Sequence, residues 1–193
     1  MAGKSEKKKK SKTTFTVYGP FKIPVKKGKG GKGIDKYELS EFWNKAGEIA
    51  DKKGCYVFSV RLSQGAIKPW YVGKTSNSFR NECFTYHKIT KYDEVLRDYA
   101  ACTPVLFLIV SAAPHASNQI KALEKFFIDL GVTVNPKILQ TKDVSRPRWT
   151  IPGVTESNGR GKVPVAVLKF RKAFGLKPPQ KRQAPKKKRA RKA

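Results

Sequence analysis

Two tyrosines each stand beside a glycine in a pair of short apolar runs, Gly54-Cys55-Tyr56 and Tyr71-Val72-Gly73. The first run continues through Val57, Phe58 and Val60, and Trp70, Tyr71 and Val72 answer it after a polar turn at Gln64-Gly65-Ala66, which is the pattern of a β-hairpin. On neighbouring strands the two phenols come close enough to share one site. They are equally compatible with ordinary strand aromatics. A third group is Glu124 in ALEKFFIDLG, which helical spacing puts at the edge of an apolar stripe beside Ile120 and Phe127, while Lys121, Lys125 and Asp129 point away. A carboxylate at that boundary can face a cleft and hold a divalent cation through oxygen ligands. The plain alternative is a solvated helix glutamate.

Other chemistries find less footing. Cys55, Cys83 and Cys102 are odd in number and form no CxxC pair, so the sequence supports neither a disulfide framework nor a zinc site and points to a reducing, intracellular setting. Gly28-Lys29-Gly30-Gly31-Lys32-Gly33 matches GxGxxG, but the strand that follows ends at Val60-Arg61 without the acidic residue that a dinucleotide site needs. The spacing also fails GxxxxGK[ST]. A flexible basic loop is the expectation there, with no dinucleotide cofactor.

The chain has 193 residues, with 42 Lys and Arg against 14 Asp and Glu, a net charge of +28. That field favours a polyanion, because neutralising phosphates releases condensed counterions. An anionic membrane surface is the competing partner by charge alone. No apolar run is long enough to span a bilayer, and the basic N-terminus lacks the apolar core of a signal peptide.

Residues 1–12 form a lysine-rich arm expected to be disordered. Thr13 to Val25 reads as a strand or extended segment packed on the domain, and Asp35 to Lys53 as a helix ended by Gly54. Lys74 to Ala101 is helical in tendency. Pro104 to Ser111 has the continuous apolar character of a buried central strand, completing a sheet of three strands. Ser117 or Asn118 is placed to cap the helix carrying Glu124, with Gly131 as its stop. Glu156 to Gly161 reads as a loop, Pro164 to Phe174 as a last helix closed by Gly175, and residues 177–193 as a disordered polycation without an acidic residue. The expected organisation is therefore a basic arm (1–12), an extension and helix (13–53), a core (54–136), a C-terminal extension (137–176) and a basic tail (177–193). The expected fold class is α/β in the α+β sense, a small three-stranded antiparallel sheet flanked by helices.

The two tyrosine-glycine motifs, with Glu124 and the later Asn135-Pro136, resemble the GIY-YIG nuclease family over about Gly54 to Pro136. The resemblance implies hydrolysis of phosphodiesters, DNA first, with one Mg²⁺ or Mn²⁺ on Glu124 to neutralise developing charge. It gives Tyr56 or Tyr71 the task of activating water, which a phenol of reference pKa ~10 does only with a cation's help. Lys74, directly after the second motif, is placed to give that help or to grip a phosphate. Family members carry a transition-state arginine at a place aligning with Asn81 or Glu82, so Arg80 sits one or two residues early, and Arg61 is another substitute. His87 resembles a histidine found later in that helix, Asn135 the asparagine after the last one, and Glu82 would add a second metal-binding carboxylate or mark a site without catalysis. The same resemblance leaves two other readings open: a catalytically inactive nucleic-acid-binding core, and a basic structural or ribosome-associated RNA-binding protein. Compartment follows the partner, cytoplasm or nucleoid, or nucleus given the KKKRARK run.

Overall fold

A computed structural model describes residues 13–28, 30–99, 101–113, 116–138, 149–155 and 162–176. Three strands carry the centre: β4 (Gly54–Arg61), β5 (Ile67–Thr75) and β6 (Thr103–Ser111). β4 lies between the other two and antiparallel to both, with Tyr56 opposite Gly73 on one side and Leu108 on the other. The hairpin turn closes through Gly65 N–H to the Leu62 carbonyl at 2.9 Å and Leu62 N–H to the Ala66 carbonyl at 2.8 Å.

The sheet does not stop at three strands. β1 (Thr13–Lys22) pairs antiparallel with β6, and the two-residue β7 (Trp149–Thr150) runs parallel to β1, giving five strands in the order β5-β4-β6-β1-β7. β1 and β6 stand some ninety residues apart, so nothing local in the sequence announces their pairing. The α+β class holds, and the N-terminal segment is a strand within the central sheet.

Alternation along the strands sends neighbouring residues to opposite faces. On one face Cys55, Val57, Val72 and Phe107 meet Ile120, Leu123 and Phe127 of α4 (Ser117–Val134) and Phe170 of α5 (Val165–Ala173). On the other, Tyr56, Phe58, Tyr71 and Leu106 meet α1 (Leu39–Ala46), α2 (Phe79–Glu82) and α3 (Tyr86–Asp98) through Phe42, Phe79 and Tyr92. Burial on both faces is why β4 and β6 read as nearly unbroken apolar runs.

Several boundaries differ from expectation for local reasons. The helix expected over 35–53 ends at Ala46, because Gly47 takes φ +61 and the chain continues as a 3-10 turn, Gly47–Asp51. Gly54 then opens β4 instead of ending a helix. The glycine-lysine stretch is a hairpin, β2 (Val25–Gly28) with β3 (Gly31–Ile34). α4 starts from Ala116 without a side-chain cap and runs through Gly131 to Val134. Gly131 serves there as a place of close approach, since a Cβ would come within 2.5 Å of Ile138 Cδ1. α5 and Gly175, at φ +61, match the expected last helix and its stop. The basic arm, the Glu156–Gly161 loop and the polybasic tail lie outside the described residues. Among the described residues no helix is long and apolar enough to cross a membrane.

Phe107 lies buried at the middle of the sheet, edge-on to Phe170 at 5.2 Å, and Phe170 in turn packs on Phe127 at 5.1 Å. Phe107→Ala is expected to lower unfolding free energy in urea by about 3–5 kcal/mol. Leu168→Ala, on the exposed side of α5, should stay within about 0.5 kcal/mol of wild type. Equal effects of the two substitutions would contradict a core centred on this sheet.

Candidate functional site

The hairpin brings its two tyrosines together. Tyr56 and Tyr71 stack with ring centres 6.2 Å apart and planes inclined by 23°. The arrangement depends on the neighbouring glycine: a Cβ on Gly73 would lie 2.3 Å from both Cζ and the hydroxyl oxygen of Tyr56. Gly54 meets a similar demand across the other strand pair, where a Cβ would stand 1.9 Å from the Ile109 carbonyl oxygen. Both glycines of the motif thus have a packing reason.

Tyr56 is fully buried, and α3 supplies much of its cover. Tyr92 lies edge-on to Tyr71 at 5.9 Å and stacks on Phe58 at 4.0 Å, while Lys88 Nζ sits 5.5 Å from the centre of the Tyr56 ring. Lys88 is itself buried, and donates to the Glu82 carbonyl at 2.9 Å and to the Glu82 carboxylate. The Tyr56 and Tyr92 hydroxyls have no hydrogen-bond partner among the described residues. Burial first, then the neighbouring ionisable groups, drives both phenols well above their ordinary pKa, so both stay protonated. Burial likewise holds the Cys55 and Cys83 thiols in the protonated form.

Glu124 lies on the opposite face. Its Oε2 accepts from Lys74 Nζ at 2.8 Å, and the turn of α4 just before it touches Cys55, whose Sγ is 3.3 Å from the Ile120 carbonyl oxygen. Lys74 is opposite Cys55 and Gly73 opposite Tyr56, so one step along β5 separates the face of Glu124 from the face of the tyrosines. Arg80 leaves both groups: it binds the Asp51 carboxylate at 3.0 and 3.4 Å and lies 5.9 Å above the Trp43 ring. In the single turn of α2, Phe79 takes the buried position, and the roughly 100° step per residue turns Arg80 outward. His87 is exposed, with Nδ1 3.4 Å from the Thr85 hydroxyl. Arg61 ends β4 five residues beyond Tyr56, about 17 Å along the strand. Asn135 is buried and structural in its contacts, donating to the Pro69 carbonyl at 2.7 Å and accepting from Lys137 N–H at 3.2 Å.

The implied cation would fall to Glu124, yet as arranged that carboxylate is matched to an ammonium group. Among the described residues no three His, Cys, Asp or Glu side chains form a group able to hold a metal ion. A cation on Glu124 would have to displace the Lys74 ammonium and complete its shell from water or phosphate oxygens. Of the sequence candidates, the fold unites Tyr56 with Tyr71 and Lys74 with Glu124. It sets Glu82 near the phenols and disperses Arg80, His87, Arg61 and Asn135. Lys88 escaped the sequence reading. Its signal was positional, a lysine one turn before Tyr92 and adjoining Ile89, on the face that α3 buries. Comparison with family models, curated proteins and solved structures finds no match to this chain.

Gly73→Ala should cost about 1–3 kcal/mol in urea unfolding, because the rigid Tyr56 ring has nowhere to yield. Glycine-like stability in that variant would refute the tight seat. The raised phenol pKa values also fix a sign: stability is full below the unfolded pKa of ~10 and is lost as pH rises beyond it. The urea midpoint should fall above pH ~10, and fall less in Tyr56→Phe.

Proposed function

We propose that this protein binds nucleic acid on a GIY-YIG-like α+β core that acts as a scaffold without an assembled phosphodiesterase centre. The observation that carries the reading is the separation of Tyr56 and Glu124 to opposite faces of the sheet, one sealed in the interior and the other neutralised by Lys74. A water activated by a phenol and a phosphate held at Glu124 would not meet in this geometry. The partner follows from the net charge of +28, which favours a phosphate polyanion inside the cell, in the nucleoid, cytoplasm or nucleus. DNA is the first partner to test.

A second reading, the metal-dependent endonuclease, draws support from the stacked tyrosine pair at the motif spacing. It requires Mg²⁺ or Mn²⁺ and a rearranged Lys74. The basic RNA-associated protein is the third, and competition between RNA and DNA separates it from the first.

The test is a binding and nicking assay on supercoiled and branched DNA with Mg²⁺ or Mn²⁺, for wild type beside Glu124→Ala. The scaffold reading expects tight, steeply salt-dependent binding by both and no metal-dependent cleavage by either. Metal-dependent nicking that vanishes in Glu124→Ala would replace it with the nuclease. Removing residues 177–193 should weaken binding and flatten the log–log salt dependence by about 0.9 for every phosphate that the tail neutralises.

A further inference from the structure

Tyr37 and Tyr86 are the most exposed large apolar side chains among the described residues, at 87% and 79%. Each has an ammonium group against its ring: Lys26 Nζ is 5.0 Å from the centre of Tyr37, and Lys36 Nζ is 5.5 Å from the centre of Tyr86. Lys36 adjoins Tyr37 in sequence, so Lys26, Tyr37, Lys36 and Tyr86 follow one another across the surface from β2 to the start of α3. Cation and aromatic ring alternate along this line.

The mount is built, not loose. Tyr37 N–H donates to Asp35 Oδ1 at 3.1 Å, and Asp35 N–H donates to the Pro24 carbonyl at 3.0 Å, which ties the turn carrying Tyr37 to the link between β1 and β2. The β2–β3 hairpin is fastened to the rest of the domain by Ile34 N–H on Asp93 Oδ1 at 2.8 Å and by Lys32 Nζ on the Cys102 carbonyl. Beside the rings runs an open groove walled by Lys26, Gly28, Gly31, Gly33, Lys36 and Asp93, whose carboxylate accepts from the Ile34 N–H. Gly28 and Gly31 leave that wall without side chains, so a backbone can approach it closely.

We propose that Tyr37 and Tyr86 are a stacking platform for the bases of a single-stranded nucleic acid, with Lys26 and Lys36 on its phosphates and the glycine-walled groove along its sugar-phosphate backbone. The proposal rests on the nucleic-acid-binding reading and names its substrate class. A single strand is favoured because its bases offer free π-faces, which are occupied by neighbouring bases inside a duplex. A protein partner fits less well, since two rings separated by an ammonium group make no continuous apolar patch.

The experiment uses the full chain and fluorescence anisotropy with three labelled probes: an oligothymidylate, an abasic strand of equal length, and a duplex of equal length. Salt of about 0.3 M suppresses the contacts that depend on charge alone. Wild type should bind the base-bearing strand about tenfold or more tighter than the abasic strand. The Tyr37→Ala/Tyr86→Ala variant should lose that preference while keeping its duplex affinity, and Tyr37→Phe/Tyr86→Phe should retain it. Equal affinity of wild type for base-bearing and abasic strands, or an undiminished preference in the alanine variant, overturns the platform while leaving nucleic-acid binding standing. Failure to bind any of the three probes even at low salt overturns both.

Discussion

The seat of the Tyr56 ring against Gly73 is the contact on which the rest of the domain depends. A buried aromatic ring lying over the neighbouring strand needs a residue without a side chain beneath it, and only then does it stack on Tyr71. Tyr71 in turn meets Tyr92, Tyr92 lies flat on Phe58, and α3 is thereby fixed across the sheet. With α3 in place, Lys88 can enter the interior only because Glu82 and the backbone of α2 receive its ammonium group. Tyrosine beside glycine on paired strands therefore has a sufficient cause in packing, before any chemistry is asked of it.

The pleat decides which side chains can cooperate. Tyr56 and Gly73 face α3, whereas Cys55 and Lys74, one residue away on each strand, face α4. Glu124 consequently pairs with Lys74 and not with the phenols. The same economy recurs elsewhere: Asp51 holds Arg80, Glu82 holds Lys88, and Glu41 holds Lys45 at 2.6 Å. Fourteen acidic residues, several of them committed in this way, face 42 basic ones, an excess of 28 positive charges. The proposed nucleic-acid partner would answer that surplus.

What the sequence made legible was what short-range pattern controls. The hairpin, the buried run of β6, the helix bearing Glu124 and the terminal helix all follow from apolar spacing, and each is present. The five-stranded sheet was not legible, because the β1–β6 pairing is a contact between distant segments whose register depends on the finished fold. Helix limits failed at glycines: Gly47 breaks a helix that apolar spacing would continue, and Gly131 sits inside one that composition would end. The arrangement of the site candidates was hidden for a different reason. Sequence spacing places Arg80, Glu124 and Tyr56 on elements, but it does not say that α4 covers the face opposite Tyr56, nor that Phe79 takes the buried position of α2 and turns Arg80 outward.

Tyrosine has two uses in this fold, and α3 contains both. Tyr86 and Lys88 are two residues apart, about 200° around the helix, so the same turn that delivers Lys88 to the interior beneath Tyr56 must point Tyr86 toward solvent. Tyr92 lies one turn beyond Lys88 on the buried side. The interior tyrosines lock α3 to the sheet, and that attachment fixes the backbone from which Tyr86 projects toward Lys36. A ring on an anchored backbone loses less conformational freedom when a base stacks on it than an equally exposed ring on a loose loop, whose backbone would also have to be ordered at the moment of binding. In the proposed platform, the buried cluster would contribute to recognition by fixing the backbone from which the exposed ring meets a strand.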